Sequence, residues 1–308
     1  MVRGDQVWFN GKILPADSAK VSLFTHGLHY GYGAFEGIRA YRQKNGGGAV
    51  FKLREHLERF FESAKILNLK IPFSLDQLIQ ASLEICKANH FEECYIRPVL
   101  FVGDGPLGIY PGKEPPIDVA ILTWEWGNYL GDKGMRDGAR LKISSFIRPH
   151  VNSAMTKGKI TGQYSNSVLA KREAIEAGYD EALLLDAEGY LTEGSGENLF
   201  MVKGGEIKTT PLNSVLNGIT RKSVMDYLAS QGLTVTCTRF TRDEIWCADE
   251  VFLTGTAAEI TPVREIDGRL IGLDGNCGPI TEKVRSAYKK ITHGEDPLFS
   301  KKWLTPII

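Results

Sequence analysis

Short β-rich runs closed by turns containing Gly and Asn recur from one end of the chain to the other, with helical stretches spread among them. Trp8–Phe9 and Lys12–Leu14 flank Asn10-Gly11, a pair that tolerates the positive φ angles of a two-residue hairpin turn. Gly37–Arg42 and Ala49–Lys52 read as strands around Asn45-Gly46-Gly47-Gly48. Arg54–Leu67 instead carries Leu57, Phe60, Phe61, Ala64 and Leu67 at helical spacing. A second helix is predicted from Ser74 to about Asn89, because Ser74 and Gln77 stand at the spacing of a capping box. Tyr95–Val102 and Ile117–Trp126 follow as strands. Hairpins mixed with separate helices argue for an α+β fold.

Gly127–Gly138 is rich in Gly and charge and fits neither period, so it marks the candidate boundary between domains 1–126 and 139–308. Beyond it the pattern predicts a strand over Leu141–Ile147, an irregular stretch from Arg148 to Gly158 and a helix over Gln163–Ala177. A hairpin-like run then spans Glu181–Lys208. Helices over Ile219–Ser230 and Pro279–Ile291 accompany strands near Thr234–Thr238 and Glu250–Thr254.

Charge and cysteine usage narrow the function classes. Lys+Arg and Asp+Glu both number 37, which gives no electrostatic case for nucleic acid or an anionic membrane. No apolar run approaches the roughly 18 residues of a membrane span, and the N-terminus lacks the apolar core of a signal peptide. The five cysteines form no CxxC pair and read as reduced thiols, which places the chain in the cytoplasm. The six histidines show no metal-binding spacing, so no metal is expected.

The chemistry concentrates in a few loops. Lys159 follows the irregular stretch and precedes Gly162 and Tyr164, a setting from which an amine could reach inward and lose its proton; Lys157 is a near-equal rival. Glu193 and Glu197, with Gly194 and Gly196 between them, are either turn carboxylates or a pair from which one holds a ring nitrogen protonated. Gly218-Ile219-Thr220 opens a helix whose first N–H groups are either capped by Asn217 or Thr220 or offered to a phosphate. Gly255-Thr256-Ala257-Ala258 supplies another row of N–H groups from small residues. An amine, a carboxylate and anion-binding N–H groups suit a cofactor with an aldehyde, a basic ring nitrogen and a phosphate, which describes pyridoxal 5'-phosphate. Arg59 falls away from the apolar stripe of its helix and reads as solvated. Arg97 lies within an apolar strand, either buried against an anion or on the strand's solvent face.

These residues sit in longer motifs. HYGYGAFEGIRAY from His29, REHLERFFESAK from Arg54, YIRPVLFVGDG from Tyr95, KITGQYSNS, DEALLLDAEGYLTEGSGENLF from Asp180, NGITR and DEVFLTGTAAEITPV from Asp249 occur in order. In them the chain resembles the branched-chain amino acid aminotransferases, in the type-IV group of pyridoxal-phosphate enzymes that includes D-amino acid aminotransferase. The resemblance implies a two-domain fold, a small N-terminal α/β domain and a larger C-terminal α+β domain, with the cofactor between them. It implies that Lys159 carries the cofactor and moves the proton, that Glu193 pairs with the ring nitrogen and that Tyr164 bonds the phenolic oxygen. Arg59, Ile219, Thr220 and Thr256 would bind the phosphate, against the helical-wheel reading of Arg59.

At the substrate end, Tyr95 with the N–H groups of Thr256 and Ala257 would take the α-carboxylate. Phe35, Tyr30, Tyr129, Tyr164 and Ile109 would enclose a branched side chain, and Arg97 would take the distal carboxylate of glutamate or 2-oxoglutarate. Tyr30 and the Leu107–Ile109 loop would reach in from a neighbouring subunit, making a dimer the smallest working unit, with a hexamer also open. The expected partners are amino acids and 2-oxo acids. D-amino acid aminotransferases, aminodeoxychorismate lyases and (R)-amine transaminases share the fold. HVNSAMTKGKI and TGQY depart from the usual pattern near the lysine.

Overall fold

Asn10 and Gly11 both take positive φ, 47° and 89°, and close β1 (Gln6–Phe9) onto β2 (Lys12–Pro15) with Phe9 opposite Lys12. The computed structural model describes residues 2–127 and 137–307. The chain divides into one unit of Met1–Gly127, Gly158–Gln163 and Ile291–Ile308 and another of Asn128–Lys157 and Tyr164–Lys290. The expected domains are each contiguous in sequence, whereas the first of these units gathers three stretches of chain. Of the expected link 127–138, only Gly127, Asp137 and Gly138 are among the described residues.

In the first unit, β1 and β2 join β3 (Gly33–Phe35), β4 (Ile38–Arg42), β5 (Gly48–Phe51), β6 (Cys94–Val102), β7 (Ile117–Trp124) and the C-terminal strand Leu304–Pro306. The order is C-terminal strand, β5, β4, β6, β7, β1, β2, with β3 also on β6 and every pair antiparallel. Alternation along β6 buries Ile96, Leu100 and Val102 in the core. Helices α2 (Leu53–Ile66) and α3 (Leu75–Ala88) pack there through Leu53, Leu57, Phe60, Leu78 and Ile85; a short helix α1 (His26–Tyr30) precedes them. Each such side chain contributes roughly 1.5–3 kcal/mol by leaving water. The expected capping box of α3 forms: Gln77 N–H donates to Ser74 Oγ, and Ser74 N–H donates to Gln77 Oε1. Strand β7 stops at Trp124 rather than Trp126, because Tyr95, its last partner, lies near the start of β6.

Gly158–Gln163 belongs with this unit because it runs along β3. Phe35 N–H donates to Lys159 O at 3.0 Å, Ile160 bridges Ala34, and Gly162 N–H donates to Gly31 O at 3.0 Å. Gly31 has φ 62°, and a Cβ there would lie 2.6 Å from Gly162 Cα, so the approach requires glycine.

The second unit is a nine-stranded sheet of β8 (Ala139–Ile143), β9 (Glu181–Leu185), β10 (Leu191–Gly194), β11 (Asn198–Lys203), β12 (Glu206–Thr209), β13 (Val235–Cys237), β14 (Glu250–Gly255), β15 (Glu259–Ile266) and β16 (Arg269–Leu270). The path β10-β9-β8-β15-β14-β11 closes on itself, because β10 also pairs β11 through Glu193 and Asn198. Its core includes Leu141, Leu183, Leu199, Phe240 and Leu253. Helices α4 (Tyr164–Glu176), α5 (Ile219–Ser230), α6 (Arg242–Trp246) and α7 (Pro279–Thr292) complete the described helices of this part of the chain. Strand β8 is shorter than the expected Leu141–Ile147, because the Glu173 carboxylate takes the Ser145 N–H and the Ser144 hydroxyl. Mixed strands and helices in two units make the fold α+β.

Candidate active site

Glu36, directly after β3, is fully buried, and its carboxylate organises the first unit's polar cluster. Oε1 accepts from Arg59 Nε at 2.6 Å; Oε2 accepts from Arg59 Nη2 at 2.9 Å, His56 Nδ1 at 2.8 Å and Gly37 N–H at 3.1 Å. Four bonds fill the roughly four lone-pair sites of a carboxylate. Burial alone would raise the Glu36 pKa, but the Arg59 guanidinium and the His56 hydrogen bond outweigh it and hold the carboxyl well below its ordinary range. Burial, helped by the positive charges of Arg59 and Lys159, pushes the His56 imidazole below its ordinary pKa against the pull of Glu36. A neutral His56 donating from Nδ1 satisfies this network.

The cluster corrects the wheel reading of Arg59, which is only 9% exposed. A wheel reports apolar neighbours, and Glu36, far away in sequence, supplies a charge instead. Arg97 is half-buried on the face of β6 opposite the core residues Ile96 and Leu100, packed among aromatic rings. Its guanidinium carbon lies 4.7 Å from the Phe35 ring centre, 5.3 Å from that of Tyr95 and 5.5 Å from that of Trp124. Its Nη2 donates to Tyr95 OH at 3.4 Å, its Nε is buried with no partner, and it makes no ion pair among the described residues. A half-buried cation without a counter-charge is costly to maintain and favours an incoming anion.

Lys159 is half-buried and held at both ends of its backbone: its N–H donates to Ser63 Oγ at 3.0 Å, and its carbonyl accepts from Phe35. Its Nζ sits 4.6 Å from the Phe35 ring centre. The rival Lys157 is exposed, and its Nζ donates to Val215 O at 3.2 Å. Partial burial pulls its pKa down, with Glu193 opposing and Arg221 assisting. The fixed backbone favours Lys159 as the inward-reaching amine.

In the second unit Glu193 stands at the β10–β11 pair that closes the strand ring. Arg148 Nη2 donates to its Oε1 at 2.8 Å, while Asn198 Nδ2 and Leu216 N–H donate to its Oε2, each at 3.2 Å. Arg148 begins the stretch read as irregular; its only sequence signal is a cation directly after an apolar strand. Glu197 contrasts with Glu193. It is buried, its Oε2 accepts from Gly196 N–H at 3.1 Å, and the nearby cation Lys171 is bonded to Glu181 at 2.6 Å. Burial first, then the charge of Glu181, pushes the Glu197 carboxyl up to about 8. Of the two carboxyls in the motif, Glu193 is the one paired with Arg148, and Glu197 is the one whose pKa is raised.

The N-cap of α5 is Gly218 rather than Asn217 or Thr220, and it brings no side-chain cap bond. Ile219 and Thr220 form the first turn. Asn198 reaches this turn, since its Oδ1 would lie 1.8 Å from a Cβ on Gly218. At the end of β14 the Thr254 hydroxyl is buried without a partner, and Gly255, Thr256 and Ala257, all half-buried, follow beside Gly196 and Glu197. Tyr164, half-buried, opens α4. Tyr30 is exposed and donates to Leu107 O at 2.7 Å, and Ile109 is 86% exposed. Phe35 and Tyr95 are buried in the Arg97 cluster. Tyr129 lies outside the described residues. Among the described residues no His, Cys, Asp or Glu cluster could hold a metal, and no helix is long and apolar enough to cross a membrane.

Residues 33–266 match the family model described as amino-transferase class IV. A branched-chain-amino-acid aminotransferase of Pseudomonas aeruginosa is 44% identical over 95% of this chain and 94% of its own. The Escherichia coli protein of the same name is 41% identical, with the same shares of both chains covered. The solved structure of an Escherichia coli branched-chain amino acid aminotransferase superposes with a TM-score of 0.95 at 40% identity, covering 99% of this chain and all of its own. A Thermoproteus uzoniensis branched-chain aminotransferase with norvaline gives 0.93 at 39% identity over 99% of this chain and all of its own. The chain belongs to the class IV amino-transferase family.

Proposed function

We propose that this protein is a branched-chain amino acid aminotransferase, moving the amino group of L-leucine, L-isoleucine or L-valine to 2-oxoglutarate and yielding L-glutamate. The observation that carries the reading is Arg97, a cation set among aromatic rings without an ion-pair partner among the described residues. The rings suit a branched side chain, and the guanidinium suits the distal carboxylate of the other substrate.

The residues present fit pyridoxal phosphate. The start of α5, with no side-chain cap from Gly218, and the orphaned Thr254 hydroxyl suit a phosphate, and buried Glu193 suits a protonated ring nitrogen. When bound, the cofactor supplies a carbonyl that condenses with amines and a ring that stabilises negative charge at the substrate Cα. Lys159 would hold the cofactor through its ε-amine and would move the substrate's Cα proton. Glu193, fixed by Arg148, would keep the ring nitrogen protonated, and Tyr164 would bond the phenolic oxygen. Arg59, Ile219, Thr220 and Thr256 would bind the phosphate. Tyr95, Thr256 and Ala257 would take the α-carboxylate, and Phe35, Tyr30 and Ile109 would shape the apolar pocket.

A dimer is the smallest working unit. Its support is the exposure of Leu23, Phe24, Leu28, Ile109 and Tyr110, tied into one surface by the His26 Nε2–Gly108 O contact of 3.0 Å. The free cysteines fit a cytoplasmic protein. The test is glutamate formation from 2-oxoglutarate with L-leucine, D-leucine or an (R)-amine as donor. Turnover confined to the D-amino acid or the amine would overturn the reading.

A further inference from the structure

The Arg97 Nε is not alone in lacking an acceptor: among the described residues Trp124 Nε1 is also buried without a partner. The two residues lie on adjacent strands, with Tyr95 opposite Trp124 and Arg97 opposite Leu122. Alternation puts Tyr95, Arg97, Leu122 and Trp124 on one face of the sheet. The Arg97 guanidinium carbon lies 5.5 Å from the Trp124 ring centre, and the indole is itself packed against Tyr95 at 4.9 Å and Trp126 at 5.6 Å. The ring is thus held beside the guanidinium, and a buried N–H without an acceptor destabilises the free site.

We infer that Trp124 is a second donor to the distal carboxylate of the acidic substrate, its indole N–H binding one oxygen while Arg97 engages the group. The inference rests on the proposed exchange between branched-chain amino acids and 2-oxoglutarate. A carboxylate matches both orphans, since its two oxygens accept from two N–H groups and its charge answers Arg97. Indole N–H donates only and can satisfy itself on an oxygen but not on an ammonium or amide NH2. A leucine side chain offers no acceptor and meets only the ring faces. Trp124 therefore separates the two half-reactions: its N–H serves the acidic substrate and is idle for the apolar one.

Trp124→Phe keeps an aromatic face against Arg97 and deletes the N–H. In the holoenzyme, the KM for L-glutamate and 2-oxoglutarate should rise about tenfold or more, the loss expected for a hydrogen bond to a charged group, and by clearly more than the KM for leucine, which loses only ring contact. Equal losses with leucine and glutamate would make Trp124 merely structural, and unchanged glutamate kinetics would make its N–H idle; either result overturns the inference. An unmodified enzyme unable to use leucine and 2-oxoglutarate would instead remove the parent reading, and this one with it. Should the variant fail to fold, the indole N–H resonances of the 15N-labelled unmodified holoenzyme provide the test. The Trp124 signal, assigned with variants at Trp8, Trp126, Trp246 and Trp303, should move on adding glutarate and hold still with 4-methylpentanoate. A Trp124 signal indifferent to glutarate refutes the proposal.

Discussion

Glu36→Ala should destabilise the first unit more than any single surface ion-pair deletion. The carboxylate is saturated by two Arg59 bonds, one from His56 and one from Gly37, all at 2.6–3.1 Å in a fully buried site. Removing it strands a buried guanidinium, for which the expected loss is about 3–5 kcal/mol, against a total stability of about 5–15 kcal/mol for a domain. With a urea slope of about 1–3 kcal/mol/M, the midpoint of the transition that exposes this unit should fall by about 1–5 M. Glu92→Ala is the control: its partner Arg42 is two-thirds exposed, so the 2.6 Å pair should contribute too little to resolve.

The pH dependence carries a second check. The folded Glu36 pKa lies below its unfolded value, so its stabilisation is present above the ordinary carboxylate range and lost as pH falls through and below about 4.3. His56, held neutral, acts in the same direction: below about pH 6.5 the unfolded imidazole takes up a proton that the folded one resists, and the folded state loses stability. The gap between wild type and Glu36→Ala should therefore be largest near neutral pH and narrow in acid. Coincident urea curves at pH 7 for Glu36→Ala, Glu92→Ala and wild type would refute the argument that an ionised carboxylate anchors Arg59.

Three further outcomes follow from the site. Lys159→Ala should abolish transamination while Lys157→Ala retains it, measured as glutamate formation; the reverse would reassign the amine. Glu193→Gln should slow proton removal from leucine by about 10²–10³-fold, the scale of losing one preorganised electrostatic partner, and an unchanged single-turnover rate would remove its role. Glu197→Gln should stabilise the protein increasingly as pH rises from about 4.3 to about 8. The raised folded pKa means that the wild-type carboxyl loses stability across that window, and parallel melting curves at pH 6 and 9 would contradict it.

What the sequence makes legible here is what local rules control. The Asn10-Gly11 turn, the Ser74–Gln77 box and the start of α5 depend on residues within a few positions of one another, and each forms where local chemistry puts it. The motif residues Lys159, Glu193, Arg59 and Arg97 were reachable through resemblance. Their partners were not, because Glu36, Arg148 and Trp124 act on residues distant in sequence or across a strand pair. Arg59 shows the cause most clearly. Amphipathic periodicity treats a charged side chain off the apolar stripe as solvated, yet a single buried carboxylate placed by the β3–β4 bend reverses the outcome. The same reasoning ranks Glu193 above Glu197. The motif offers both carboxyls at similar spacing from flanking glycines, and only the tertiary allocation of cations, Arg148 to Glu193 and Lys171 to Glu181, gives the first a guanidinium and leaves the second with a raised pKa. Charge state in this fold is thus a property of long-range pairing, so a motif match can name the carboxyl but not its proton.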